Sequence, residues 1–125
     1  MSNKAFDFEK EVNKCYKNAI VDTKKLSEIA KTKRKYTFCA IYALYENNQL
    51  KKIGKAIYGG IHHRMVQYYN GKSGSKFITV LNRDDIVVKY FTLKDKSELW
   101  YAERRLQVIA HDSGEKMEWE NTSRN

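Results

Sequence analysis

Apolar positions recur along this chain with two different periods, and the change of period marks the elements. Ala5, Phe8, Val12, Cys15 and Ala19 follow one another at intervals of three and four. That spacing puts one apolar stripe on a helix and predicts a first helix over residues 5–20. A second, shorter helix is expected from an N-cap at Asp22 or Thr23, with Leu26, Ile29 and Ala30 turned inward. Residues 36–45 are aromatic, β-branched and almost wholly apolar, which suits a strand covered on both faces and central in its sheet. Glu46-Asn47-Asn48 supplies a reversal, since asparagine tolerates a left-handed backbone, and Gln49 to Lys55 returns as a second strand.

Gly59-Gly60 breaks the chain before an amphipathic helix over residues 61–70, with Ile61, Met65 and Tyr68 or Tyr69 inward. Residues 70–75 read as a loop, 76–81 as a short helix or turn, 82–85 as a second reversal and 86–92 as a third strand. A long helix follows over residues 95–111. Leu99, Ala102, Leu106 and Ile109 form its buried stripe, and Glu103 stands at the edge of that stripe. The pattern predicts a mixed α/β (α+β) fold: a small three-stranded antiparallel sheet flanked by helices, preceded by a helical arm over residues 1–35. With 125 residues and no repeat or linker, arm and core (36–125) make one compact domain.

Charge narrows the function. Lys and Arg total 24 against 15 acidic residues, a net charge of +9, and such an excess in a small domain favours a polyanion, because neutralising phosphates releases counterions. No segment approaches the ~20 apolar residues of a membrane span, and no signal-peptide pattern opens the chain. Nucleic acid is therefore the expected partner, with no membrane association and a cytoplasmic location. Cys15 and Cys39 lie in a helical and a strand pattern, and free thiols are expected there instead of a disulfide or a zinc site. The basic run Lys31-Thr32-Lys33-Arg34-Lys35 is either a solvated connection or a phosphate contact.

Ala40-Ile41-Tyr42 stands ten residues before Lys52-Ile53-Gly54, followed by Arg64 with Tyr68 four later, Ala102-Glu103 on the last long helix, and Asn121. In this order and spacing the set resembles the GIY-YIG nuclease family over roughly residues 36–121. The chain has Ala40 where the family usually has glycine and Lys52 where most members have tyrosine, a lysine that some restriction-type members share. Its loop before Arg64 is longer than usual, and no proline precedes Asn121. The resemblance implies a stand-alone restriction-type or phage-type endonuclease acting on double-stranded DNA, dependent on Mg2+ or another divalent cation such as Mn2+. Cutting both strands with one site per subunit would favour a homodimer or higher oligomer, with the stripe 5-8-12-15-19 as a possible interface or, equally, as packing on the sheet.

The same resemblance assigns roles to Tyr42, Lys52, Arg64, Tyr68 and Glu103. Tyr42 or Lys52 would accept the proton of the attacking water, a neighbouring lysine favouring the phenolate. Arg64 would clamp the scissile phosphate, and Tyr68, on the same helix face, would orient phosphate or water. Glu103 would hold the metal, since one carboxylate plus water and phosphate oxygens suits magnesium; Glu98 is the competing candidate. Tyr42 and Lys52 share a sheet face only if the reversal between them has an odd count, for example a three-residue turn with a bulge. Lys33, Arg34, Lys35, Lys55, Tyr58, His63, Lys72 and Asn121 are the expected nucleic-acid contacts, and His62-His63 are read as surface or phosphate-contacting groups. Two other readings remain: a non-catalytic nucleic-acid-binding module on a degenerate nuclease scaffold, and a nuclease directed at RNA.

Overall fold

In the computed structural model, which describes residues 6–72 and 76–120, the apolar run after Tyr36 becomes a central strand. The elements are α1 (Phe8–Cys15), β1 (Asp22–Lys25), α2 (Leu26–Lys31), β2 (Ala40–Glu46), β3 (Gln49–Ala56), α3 (Gly60–Tyr69), β4 (Ile86–Phe91) and α4 (Lys96–Asp112), with single 3-10 turns at Lys33–Lys35 and Arg83–Asp85. The strands form one antiparallel sheet in the order β1-β4-β2-β3. It has four strands where the sequence pattern predicts three.

The additional strand comes from the arm. Asp22-Thr23-Lys24-Lys25 pairs with β4 as an edge strand, and α2 begins only at Leu26, not behind a cap at Asp22 or Thr23. An edge strand of four polar residues has no apolar alternation to announce it; it forms because β4 offers unpaired backbone groups. Helix α1 is also shorter than its stripe suggests, starting behind Asp7, whose side chain accepts from the backbone N–H of Lys10, and ending at Cys15. Residues 36–39 precede β2 instead of belonging to it, and 76–81, expected as a short helix or a turn, take bends and a turn.

Alternation along the strands loads both faces. Tyr42, Leu44, Val88 and Tyr90 pack under α2 and α3 with Leu26, Ile29, Ile61 and Met65. Ile41, Ala43, Ile53 and Phe91 pack under α1 and α4 with Phe8, Val12, Leu99, Ala102 and Leu106. Phe8 and Val12 are fully buried, so this part of the stripe packs on the chain's own sheet, the second of the two readings given for it; Ala5 lies outside the described residues. Fully burying side chains of this size contributes about 1.5–3 kcal/mol each.

The hairpin between β2 and β3 decides which residues meet. Its loop is the two-residue Asn47-Asn48, both with positive φ (55° and 64°), not the three-residue turn predicted. Two left-handed residues match the twist of the flanking strands, and asparagine bears that conformation at low cost. Alone, this loop would put Tyr42 and Lys52 on opposite faces. A bulge restores them: Tyr45 pairs with Leu50 but Leu44 pairs with Lys52, so Lys51 is the extra residue. Leu50 and Ile53, three apart, consequently both enter the core beneath α4, while Lys52 and Gly54 lie on the Tyr42 face.

Residues 117–120 hold the bulge in place. The Trp119 N–H donates to the Lys51 carbonyl at 2.9 Å, and the Lys51 ammonium pairs with Glu118 at 2.9 Å. Trp119 is itself buried and stacks on Phe77, with ring centroids 6.2 Å apart.

Candidate active site

Strand β3 is an edge, and around an edge the two faces of a sheet can meet. From the β2 side comes Tyr42, opposite Gly54 in register. A Cβ on Gly54 would lie 2.6 Å from the Tyr42 hydroxyl and 2.7 Å from its ring carbon, so the ring lies across β3 only because this residue is glycine. Sequence reading quotes Gly54 as part of a motif without this reason.

Helix α3 is anchored at its start. The N–H groups of Ile61 and His62 donate to the carbonyls of Phe38 and Tyr36 at 2.9 and 2.8 Å. A Cβ on Gly60, whose φ is +79°, would collide with the Thr37 carbonyl oxygen. The half-buried His62 ring donates through Nδ1 to the Ile29 carbonyl at 2.9 Å. His62 is therefore a structural tie between α3 and α2, not the surface group expected, whereas His63 is exposed and 3.4 Å from Gln67.

That anchoring carries Arg64 and Tyr68 over the Tyr42 face. The hydroxyls of Tyr42 and Tyr68 are hydrogen-bonded at 2.8 Å, with the rings edge to face. Arg64 is half-buried and reaches Gln67 at 3.3 Å. The Lys52 ammonium lies 5.5 Å from the Tyr68 ring centroid. From beneath the sheet, α4 brings Glu103, whose Oε1 accepts from the Lys55 ammonium at 2.8 Å. Lys55 also lies over the Trp100 ring at 4.2 Å.

Tyr42, Lys52, Arg64, Tyr68 and Glu103 all line one cavity of about 310 Å³, together with Gly54, Lys55, Tyr58 and Trp100. A larger groove of about 570 Å³ adjoins it, sharing Lys52 and Glu103 and continuing along α4 past Arg104 and Gln107 to His111. Glu98, the competing carboxylate, is exposed and faces a different depression beside Tyr16 and Lys17. Trp100 and Ile57 also line this cavity and are missed by motif reading; for Trp100, its place one turn before Glu103 is the available signal.

Electrostatics modify the role expected of Tyr42. Burial pushes its pKa well above the ordinary phenol value, the adjoining Tyr68 hydroxyl pushes the same way, and the Arg64 guanidinium only partly opposes them. The phenolate expected beside Lys52 is thus not the resting state. Tyr42 is a neutral phenol that shares a hydrogen bond with Tyr68.

A divalent cation fits the carboxylate only in the sparse manner magnesium accepts. Among the described residues no three His, Cys, Asp or Glu side chains gather as a ligand group. Glu103 is a single carboxylate on the cavity wall, and Lys55 already neutralises one of its oxygens. One protein carboxylate completed by water and substrate phosphate oxygens is within that ion's habits, provided Lys55 yields the oxygen.

The expected nucleic-acid contacts divide by position. Lys55 and Tyr58 are in the cavity wall, and Tyr58 is 82% exposed. Lys33, Arg34 and Lys35 are exposed on the 3-10 turn leading to the residues that anchor α3, and Lys72 is exposed just beyond the other end of that helix. Asn121 lies outside the described residues. Cys15 and Cys39 are free, and Cys39 donates to the Ile57 carbonyl at 3.1 Å. Among the described residues no helix is long and apolar enough to cross a membrane. Compared with known proteins, the chain matches no family model, and no curated sequence or solved structure is significantly similar to it.

Proposed function

We propose that the chain is a metal-dependent DNA endonuclease of the restriction or phage type, built on a GIY-YIG-like core, which hydrolyses phosphodiester bonds at the β3 edge. One observation carries the reading. Five residues from β2, β3, α3 and α4, drawn from both sides of the sheet, converge on one cavity, and their types suit phosphodiester chemistry. A core built for packing alone has no need of two lysines, an arginine and a glutamate around a buried tyrosine pair.

In this mechanism Arg64 binds the scissile phosphate through its two-pronged guanidinium and stabilises the charge that grows in the transition state. The Tyr42 oxygen accepts a hydrogen bond from the attacking water while its hydroxyl hydrogen stays in the hydrogen bond shared with Tyr68, which orients the water for in-line attack, and the water's proton passes to a phosphate oxygen of the substrate. Lys52, beside Tyr68, adds positive charge to the anionic transition state. Glu103 would hold Mg2+ or Mn2+, which supplies Lewis-acid polarisation of the phosphate and a more acidic water. Lys55 holds the Glu103 carboxylate in position until then.

A second reading, a binding module without catalysis, draws on two of the same observations. Glu103 is engaged by Lys55, and Tyr42 holds its proton. Cleavage of supercoiled plasmid, random-sequence duplex and single-stranded or flapped oligonucleotides, with magnesium and with chelator, separates the two. Magnesium-dependent nicking or linearisation supports the nuclease. Salt-sensitive binding without cleavage on any substrate supports the module.

A further inference from the structure

Trp100 is a large aromatic on the outer side of α4, 48% exposed, in the wall of the cavity that holds Tyr42, Arg64 and Glu103. The Lys55 ammonium covers one face of its indole at 4.2 Å, which fixes the ring and leaves the surface turned to solvent for another partner. Tyr58, 82% exposed, lines the same cavity. Leaving two such rings in water forfeits burial that the core could have used.

Their surroundings specify what would cover them. Lys52, Lys55 and Arg64 line the cavity, and Arg104, one turn after Trp100, lines the adjoining groove. Cations beside open ring faces match a phosphate backbone carrying bases. A base inside a duplex presents its edge to a protein, because its faces are stacked on neighbours; a ring face gains contact only from a base that has left the stack.

Resting on the nuclease reading above, we infer that Trp100 and Tyr58 form a base-stacking platform, and that the substrate strand is unpaired where it enters the cleft. The substrate class is then a single-stranded segment, whether free or extending from a duplex as an overhang or flap. Trp100 is a positioning residue for the nucleotide next to the scissile phosphate and takes no part in the proton transfers.

The test is binding in chelator, where no cleavage intrudes, of a short single-stranded oligonucleotide and of a blunt duplex of the same sequence. Indole emission is followed for the native protein and for Trp100→Ala, Trp100→Phe and Tyr58→Ala. The expected result is quenching by the single strand that disappears in Trp100→Ala. Single-strand affinity should fall about tenfold in that variant and recover in Trp100→Phe, while duplex affinity changes less than about twofold. Salt-sensitive binding of both forms with no quenching, or equal losses on both forms, overturns the platform and leaves the nuclease reading standing. Failure to bind either form in low salt overturns both.

Discussion

Tyr42 and Gly54 face each other across β2 and β3, and the tyrosine hydroxyl occupies the space that any side chain at Gly54 would need. The strand glycine thus serves the position of one ring. In Gly54→Ala the ring must swing away or the strands must part, at a cost of about 1–3 kcal/mol. Chemical denaturation should record that loss. The same variant should lose nearly all cleavage while keeping its circular dichroism spectrum, because the Tyr42–Tyr68 pair is dismantled.

The tyrosine pair gives a coupling that can be measured without any activity. Tyr42→Phe leaves the buried Tyr68 hydroxyl without the partner it has at 2.8 Å, and Tyr68→Phe does the reverse. Each should cost about 1 kcal/mol or slightly more. The double variant should cost clearly less than the sum, since no polar atom is then left alone. Additive losses in denaturant unfolding would mean that the two hydroxyls do not depend on each other.

Alkaline stability follows from three phenols, Tyr42 and Tyr90 buried and Tyr45 partly so. Burial is the main cause of the upward shift in each of Tyr42, Tyr45 and Tyr90, and Tyr45 is pushed up to about 12. In the unfolded chain these groups lose their protons near the ordinary value of about 10. Above that pH the unfolded state holds fewer protons than the folded one, so stability falls as pH rises. Their contribution should be fully present below pH ~10 and decline between there and about 12 or above. Unfolding free energies measured across that range should slope downward, and ultraviolet titration should find a set of phenols that ionise only as the protein unfolds.

Lys55 and a divalent cation compete for Glu103. Their ion pair is partly buried, with side-chain exposures of 25% and 18%, so its loss should cost only about 1 kcal/mol in stability. In Lys55→Met the carboxylate is left for the cation. Calorimetry with Mn2+ should find tighter binding than in the native protein, and Glu103→Gln should abolish it in either background.

Reading the chain in order recovers α3, β4 and α4 nearly to the residue, because their apolar spacing is regular and Gly59-Gly60 plainly breaks the chain before α3. It also nominates the five residues that share the cavity. It misses β1, whose four polar residues carry no periodic signal and whose existence depends on a distant partner strand. The hairpin is instructive in a different way. The shared face of Tyr42 and Lys52 is foreseen as a condition, but the odd residue sits at Lys51 and not in the loop. What pins Lys51 is Trp119, 68 positions further on, and no local pattern could announce that contact. Tyr42's protonation state is hidden for a similar reason, since burial is a property of the assembled core.

The most direct test of the central claim compares cleavage of plasmid, duplex and single-stranded or flapped DNA by the native protein in magnesium with that by Tyr42→Phe, Arg64→Ala and Glu103→Gln, measuring duplex and single-strand binding for each in parallel. The expected result is magnesium-dependent cleavage by the native protein, reduced by about two orders of magnitude or more in each variant, with binding largely retained in Tyr42→Phe and Glu103→Gln. Native-level cleavage by Glu103→Gln, or no cleavage by folded native protein on any of these substrates, would contradict an active site at the β3 edge.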